Sequence, residues 1–313
     1  MGTKEHMDRL VQAARLYYED GKSQQEIASF FGVSRPLVSR LLTEARQRGI
    51  VEIRIHSPEE KRESLTAQMA RAAGLAGCRL GDEGRDDKET NGLLAEETLA
   101  LLSVLAPETV GIGWGHFIGE LVASVETSPR KNSGIKSVCP LVGNAGIPIR
   151  FYQSNENVRL FAAGLGAAPE FLYLPALAGS MEEKQVLLST GLYQQMEAQW
   201  AHMDAALVNI GNYPSTPDFA SGARYGHLLQ EQHACGRLLA YFYNEEGELI
   251  RSDHDFAIQI PLDILKNCPA VIGLCSANTS LRALRGALAT GLFTHLIARE
   301  RLAEAYLERK SRE

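Results

Sequence analysis

A short segment near the amino terminus, SRPLVSRLL (34–42), carries guanidinium and hydroxyl groups at helical spacing. Arg35, Ser39 and Arg40 lie about one turn apart, away from the apolar positions of the same segment. A guanidinium donates two hydrogen bonds to guanine, and a serine hydroxyl bonds to several base edges. We therefore interpret the segment as a recognition helix, with these three side chains as candidates for base contacts in double-stranded DNA.

Phosphate contacts are expected from residues around the same helix. The amino terminus of a helix favours phosphate, and cationic side chains neutralise it. The candidates are Gln24, Ser34 and Arg46. Ser34 is also the expected N-cap of the helix, and Pro36, which the first turn tolerates, completes the candidate DNA-binding set.

Two further helices are predicted to hold the recognition helix outward. Apolar residues recur at helical spacing in residues 5–19, and Asp20-Gly21 ends that helix. Ser23, three residues before Glu26, forms a capping box that starts the second helix. Gly32 supplies the tight turn to the third helix. The apolar residues that the third helix is expected to bury are Val38, Leu41, Leu42 and Ala45.

The segment IVEIRIH (50–56) alternates apolar and polar residues, which predicts a strand directly after the recognition helix. Such a strand is typical of a winged helix-turn-helix domain, which we assign to residues 1–57 and call the head. The head carries nine Lys or Arg against seven Asp or Glu, whereas the remaining residues carry 23 against 31. Only the head is thus expected to meet an acidic partner. The alternative is a three-helix bundle whose arginine face is incidental.

The composition is that of a soluble globular protein with two domains. The chain has 313 residues, is 45% hydrophobic and contains no apolar run long enough to span a bilayer. Its polar amino terminus shows no secretory signal, and its five scattered cysteines without a CxxC motif favour reduced thiols. We therefore expect a cytoplasmic protein with no membrane partner, no metal site and no cofactor.

Residues 58–76 begin with Pro58 and many charges and then become alanine-rich, which predicts a linker helix. Leu65 and Met69 lie on a narrow apolar stripe of this helix. The stripe forms either a dimer contact or a contact with the helix's own domain.

The remainder, residues 77–313, alternates short apolar strands with helical stretches. The predicted strands are 109–114, 138–143, 170–176, 205–211, 270–276 and 294–298. The predicted helices are 93–105, 117–125, 155–163, 183–202, 279–290 and 300–309. This alternation predicts a Rossmann-like α/β domain, a mostly parallel sheet covered by helices on both faces, which we call the body.

Ligands of such sheets bind beyond the carboxyl ends of the strands, so the residues that follow each strand are the informative ones. The candidate effector-binding residues in these turns are Gly113, Trp114, Gly115, His116, Asn144, Gly211, Asn212, Ser276, Asn278 and Ser280. Their neutral hydrogen-bonding groups suit a small hydroxylated metabolite. The alternatives are that the glycines only permit a tight turn, that Trp114 packs in the core and that His116 is a mere turn residue.

The chain resembles the SorC type of bacterial transcriptional regulators. In the head, the resemblance rests on QQEIASFFGVSRPLVSRLLTEARQRGIVEI. In the body, it rests on GIGWG, PLVGN, ALVNIG, GRLLAYFYNEEGE and VIGLCSANTSLRALRGALATGLFTHLI. The resemblance implies a winged DNA-binding head and a body similar to sugar-phosphate isomerases and CoA transferases. It also implies a homo-oligomer, a dimer or more usually a tetramer, on a palindromic operator, with a sugar, polyol, sugar phosphate or sugar acid as effector.

The sequence departs from that family at four positions. The family commonly has Thr at Phe117 and Lys at Ser280, both of which serve a phosphate in similar proteins, and acidic residues at Arg237 and Arg299. We hypothesise that the effector is unphosphorylated, or carries a carboxylate that Arg237 meets bidentately. The alternative is that both arginines are solvated and the pocket is relaxed.

A sugar-phosphate isomerase or deaminase with the same body fold is the alternative function. Isomerisation needs a carboxylate or a similar base beside the sugar carbon, whereas the strand-end turns offer Asn, Ser and Gly. We therefore expect a regulator of a carbohydrate or related catabolic operon and no enzyme. The RSDHDF segment (251–256) is interpreted as a solvated loop, because adjacent residues of an extended strand point to opposite faces and do not converge on one metal ion.

Overall fold

The computed structural model describes residues 3–53, 58–215, 217, 218 and 220–312. The chain divides into two compact units, Met1–Glu59 and Glu60–Glu313. Within the described residues, no helix is long and apolar enough to cross a membrane.

Three helices form the head: α1 (Thr3–Tyr18), α2 (Gln24–Phe31) and α3 (Arg35–Gln47). The predicted capping box is confirmed, because the Ser23 hydroxyl accepts from the Glu26 N–H and the Ser23 N–H donates to the Glu26 carboxylate at 2.8 Å. Gly32 ends α2 in the left-handed conformation, with φ of 64°, where a residue without a Cβ avoids strain.

The core of the head lies between these helices. The four apolar residues predicted on α3 are all buried, together with Leu10, Ile27 and Ala28 from the other two helices. Ser34 is the N-cap residue as predicted, although its side chain makes no capping hydrogen bond to the described residues. Residues 50–53, the described part of the predicted wing, form no strand, and residues 54–57 of that prediction lie outside the described residues.

The described part of the body contains ten strands in one sheet. The strands are β1 (Gly77–Gly81), β2 (Thr109–Ile112), β3 (Ser137–Pro140), β4 (Ala168–Pro169), β5 (Ala205–Asn212), β6 (Gly236–Leu238), β7 (Tyr241–Tyr243), β8 (Leu249–Ile250), β9 (Ala270–Leu274) and β10 (His295–Arg299). Seven of them are parallel, in the order β1-β10-β9-β5-β2-β3-β4. The other three, β6–β8, form an antiparallel extension on the carboxyl end of β5.

Eleven α-helices and one short 3-10 helix (Arg150–Tyr152) accompany this sheet in the described residues. The α-helices are α4 (Pro58–Ala73), α5 (Asp87–Leu105), α6 (His116–Thr127), α7 (Ser154–Leu165), α8 (Met181–Leu188), α9 (Gly191–Trp200), α10 (Ser221–Tyr225), α11 (Leu228–Glu231), α12 (Leu262–Asn267), α13 (Leu281–Ala289) and α14 (Glu300–Lys310). The sheet separates two large apolar clusters, one on each face, which confirms the predicted Rossmann-like layering.

Two of the predicted body elements are wrong. Residues 170–176 are not a strand, because beyond the two-residue β4 they make only an isolated bridge through Pro175 to Asn144. The single helix predicted over 183–202 is two helices, since the Thr190 hydroxyl caps a new helix by accepting from the Tyr193 N–H.

The linker helix α4 packs on the body of its own chain. Met69 is fully buried and Leu65 nearly so, both in the cluster on one face of the sheet. Arg62 donates to Glu300 at 2.5 Å and also pairs with Asp82, which raises the pKa of its guanidinium. The apolar stripe of α4 therefore packs against its own domain, which is the second of the two interpretations given for it.

Candidate DNA-binding surface and effector site

The candidate base-contacting residues lie on one exposed face of α3. Arg35, Ser39 and Arg40 are all exposed, as is Arg46 near the carboxyl end of the helix. They lie outside the buried apolar stripe that holds α3 against α1 and α2. The face therefore presents cationic and hydroxyl groups from a helix that its neighbours support from behind, which is the geometry of a recognition helix.

The remaining candidates flank this face. Ser34 and Pro36 are exposed at the amino end of α3, and Gln24 is half-buried in the first turn of α2. The capping box already uses the Ser23 and Glu26 N–H groups at α2, and the other first-turn N–H groups of the two helices are suited to phosphate.

The one acidic residue of α3, Glu44, is held away from the exposed face. Its carboxylate contacts His6 of α1 at 3.0 Å and Arg48 at 2.7 Å. The hydrogen bond from His6 and the charge of Arg48 lower the pKa of this carboxyl. His6 and Arg48 thus compensate the negative charge of Glu44, which would otherwise repel the DNA phosphates.

Sequence reasoning missed other residues on the exposed side of the head. Thr43 is exposed on α3 one turn beyond Ser39, and Gln47 is exposed one turn beyond Thr43. Phe30 at the end of α2 is 58% exposed, and the Lys22 ammonium lies 5.6 Å from its ring centre. Thr43 follows Ser39 by four residues, and this helical spacing alone predicts that the two side chains share a face.

In the body, the strand order reverses between β2 and β5. From β2 the chain moves outward to β3 and β4, and then returns to place β5 on the other side of β2. Ligands of open α/β sheets bind at such a switch point, beyond the carboxyl ends of the strands. The turn Gly113–His116 follows β2, and Asn212 ends β5, so the two central candidate segments meet at this point.

The turn after β2 packs closely against neighbouring segments of the body. A Cβ at Gly113 would lie 2.8 Å from the Leu239 side chain, and Gly115 has a φ of 117°. Trp114 is 3% exposed and donates its indole N–H to the Leu239 carbonyl at 3.3 Å, so it lies in the core. His116 is exposed, with its ring 5.0 Å from that of Phe151.

The turns after β5 and β9 are joined by hydrogen bonds. The Asn212 amide donates to the Asn278 carbonyl and accepts from the Ser280 N–H, both at 2.9 Å. The Ser276 hydroxyl donates to the Asn278 side chain at 2.7 Å, and the Ser280 hydroxyl caps α13 by accepting from Ala283. Four candidate side chains therefore form one polar cluster.

Arg237 lies in β6 directly against Gly211 of β5, its partner in the strand register. Its guanidinium donates to the Pro217 carbonyl at 2.9 Å and to the Tyr152 hydroxyl at 3.4 Å. The residue is 8% exposed, and burial lowers the pKa of the guanidinium. The interpretation of Arg237 as a solvated surface residue is thus wrong. Arg299 is half-buried and pairs with Glu83 at 3.3 Å.

Aromatic contacts connect Arg237 with the turn after β2. Tyr152, which contacts Arg237, packs edge-on against Trp114 with ring centres 5.6 Å apart. Phe117 is fully buried in the first turn of α6. The amino terminus of α6 therefore lacks a hydroxyl at that position.

Two further side chains complete the description of this region. Asn144 ties its turn to the backbone by donating to the Leu172 carbonyl and accepting from the Asn155 N–H. Asn209, near the end of β5, was not among the sequence candidates. Its side-chain nitrogen would be 3.3 Å from a Cβ at Gly115, and its Oδ1 is buried without a partner among the described residues.

The solvated-loop interpretation of the RSDHDF segment is wrong for Asp255. The Asp255 carboxylate accepts two hydrogen bonds from Arg224, at 2.9 and 2.7 Å, and one from the Tyr225 hydroxyl at 2.9 Å. Arg224 itself is fully buried. Asp253 and His254 are exposed, as predicted for that segment.

Comparisons with known proteins identify the family. Residues 60–308 match the family described as "Putative sugar-binding domain", and residues 14–63 match the MarR family. The chain is a SorC-type transcriptional regulator. The enzyme alternative fails, because the relatives are regulators and the chain carries a helix-turn-helix head.

This SorC-type chain aligns with its relatives over nearly its whole length. It is 26% identical to the sorbitol operon regulator of Klebsiella pneumoniae, over 96% of this chain and 97% of the relative. It is 25% identical to the deoxyribonucleoside regulator of Bacillus subtilis strain 168, over 94% and 95%. The crystal structure of full-length SorC from Klebsiella pneumoniae shares the fold, with a TM-score of 0.72, 24% identity and coverage of 96% and 98%.

Proposed function

We propose that this SorC-type regulator binds a palindromic operator through paired heads and is gated by a small hydroxylated or acidic metabolite in the body. The observation that carries the proposal is the exposed face of α3, where Arg35, Ser39 and Arg40 lie outside a buried apolar stripe. Relatives named as a sorbitol operon regulator and a deoxyribonucleoside regulator support a carbohydrate or related catabolic operon as the target.

Gating follows from the geometry of paired recognition helices. Two such helices must enter successive major grooves about 34 Å apart, so a small change in their spacing alters DNA affinity strongly. An effector that binds one arrangement of a dimer or tetramer more tightly shifts the population toward that arrangement, in proportion to its difference in affinity.

Selection of DNA from a random duplex library by the full-length chain tests the DNA-binding proposal. We expect enrichment of a two-fold symmetric sequence, bound by a protein that sediments as a dimer or tetramer. Enrichment of no sequence at moderate salt contradicts the proposal, because specific recognition then has no basis in this chain.

The effector class follows from the polar groups near the switch point. Asn212, Ser276 and Asn278 are neutral and suit hydroxyl groups. Phe117 brings no hydroxyl to the amino terminus of α6, and the Ser280 hydroxyl accepts from a backbone N–H of α13. Arg237 is a buried cation in the same region. These features support an unphosphorylated or carboxylate-bearing ligand over a phosphosugar.

Calorimetric titration distinguishes these ligand classes. We expect members of a panel of free sugars, polyols, aldonates and uronates to bind at least about tenfold more tightly than the corresponding sugar phosphates, a difference of about 1.4 kcal/mol. The Ser280→Lys variant provides a matched comparison, since an added ammonium should improve phosphosugar binding selectively. Tight binding of a phosphosugar, with weak binding of its dephosphorylated and acidic analogues, contradicts this assignment of the effector class.

A further inference from the structure

Thr43 occupies the middle of the exposed face of α3. It follows Ser39 by four residues and precedes Arg46 by three, so the three side chains form one strip along the helix. The strip lies opposite the buried residues of α3, and Thr43 itself is exposed. A helix that enters the major groove with Arg35 and Ser39 against base edges carries Thr43 along the same groove.

The Thr43 side chain is held in one orientation by its own helix. Its hydroxyl donates to the Ser39 carbonyl one turn earlier, at 3.0 Å. The hydroxyl proton is therefore used within the helix, so the side chain offers an outside partner its γ-methyl and the acceptor side of its hydroxyl oxygen. A β-branched side chain is also stiff at χ1 in a helix, so little rotational freedom is lost when this methyl meets a partner.

The major groove offers one apolar group to such a methyl, which is the 5-methyl of thymine. Guanine, cytosine and adenine present only hydrogen-bonding groups there, and a methyl placed against them gains nothing and covers polar atoms. Thr43 lies three residues from both Arg40 and Arg46, which are exposed on the same helix and are the candidates for hydrogen bonds to guanine and phosphate. Thr43 thus adds an apolar group to a surface whose other candidate contacts to DNA are ionic or hydrogen-bonded.

We propose that Thr43 is a specificity-determining residue that reads the 5-methyl group of one thymine in each operator half-site. This inference deepens the proposed function and rests on it, because it names one base that the head recognises. It predicts a thymine next to the position read by Arg40 in the selected sequence. It also predicts that removing the methyl group of Thr43 and removing that of thymine have non-additive effects on binding.

Two variants of the full-length chain separate the methyl from the hydroxyl. Thr43→Val keeps the γ-methyl and removes the hydroxyl, whereas Thr43→Ser keeps the hydroxyl and removes the methyl. Binding is measured on the duplex that the wild-type chain selects. We expect Thr43→Ser to weaken binding about three- to fivefold, the effect of one methyl group removed from an apolar contact, and Thr43→Val to bind within about twofold of wild type.

The DNA side of the pair is tested by replacing each thymine of the half-site in turn with deoxyuridine, which lacks only the 5-methyl group. One replacement should weaken the wild-type chain about three- to fivefold and leave Thr43→Ser unaffected. Equal losses for wild type and Thr43→Ser at every position overturn the inference, as does a Thr43→Val variant that loses as much as Thr43→Ser. Failure of the wild-type chain to select any sequence would instead count against the proposed function itself.

Discussion

Replacing Asp255 with Asn is expected to destabilise the body by about 3–5 kcal/mol, the largest stability effect of any single polar substitution proposed for this chain. The reason is the full burial of its partner Arg224, whose Nε and Nη2 atoms both donate to one carboxylate oxygen of Asp255. Without the carboxylate, a guanidinium remains in the interior with no compensating charge at that position.

Other contacts fix the same pair in place. Arg224 also donates to the Ala240 carbonyl at 2.7 Å, and Tyr225 donates its hydroxyl to the second oxygen of Asp255. The Lys184 ammonium donates to the Asp255 carbonyl at 2.7 Å. Loss of the carboxylate thus affects helix α10 directly and, through Arg224, the turn between β6 and β7, whereas the Lys184 contact to the backbone carbonyl remains.

Equilibrium denaturation of the full-length chain, followed at the transition of the body, measures the effect. Glu156→Gln is the matched control, because Glu156 also accepts two hydrogen bonds from one arginine, Arg159, but the two side chains are 41% and 53% exposed. We expect the control to cost under about 1 kcal/mol. The double variant Arg224→Met/Asp255→Asn should recover part of the loss, since it removes the buried charge as well. Equal stabilities for Asp255→Asn and Glu156→Gln would contradict this account.

The sequence predicted the head well because its signals are local. The Ser23–Glu26 capping box, the left-handed Gly32 and the apolar spacing of α3 each involve residues within a few positions of one another. Exposure of the recognition face followed directly from that spacing.

The body was predicted less completely, because its decisive contacts join distant residues. Arg224 and Asp255 are 31 positions apart in the sequence, and Arg237 and Tyr152 are 85 apart. A local sequence pattern therefore predicts neither contact. The sequence indicated Tyr241–Tyr243 as part of a strand or a subunit contact, and it is β7, but the strands β1, β6 and β8 were missed, since short strands carry weak patterns. Residues 170–176 are apolar enough for a strand but, among the described residues, they pair only through the isolated bridge from Pro175 to Asn144.

Arg40 is expected to have the largest single effect on DNA recognition. It is exposed in the second turn of α3, beside Ser39 and away from the apolar core. A bidentate contact between its guanidinium and a guanine contributes about 1–3 kcal/mol of discrimination. Arg40→Ala should therefore lose affinity for the selected duplex by a factor of about 5–150 and lose preference at one or two base pairs.

The control must remove a positive charge from the head without altering the recognition face. Arg15 is exposed on α1 and meets this requirement. Arg15→Ala lowers the charge of the head by the same amount, so any nonspecific electrostatic loss appears in both variants at a given salt concentration.

The most direct test is a fluorescence anisotropy titration of wild type, Arg40→Ala and Arg15→Ala against the selected duplex and against duplexes with each guanine replaced in turn. The exposed α3 face predicts that Arg40→Ala alone becomes indifferent to one guanine per half-site, while Arg15→Ala discriminates as wild type does. If Arg40→Ala binds the selected duplex with wild-type affinity and still discriminates at every guanine, the guanidinium of Arg40 reads no base and the assignment of α3 as the reading helix is contradicted.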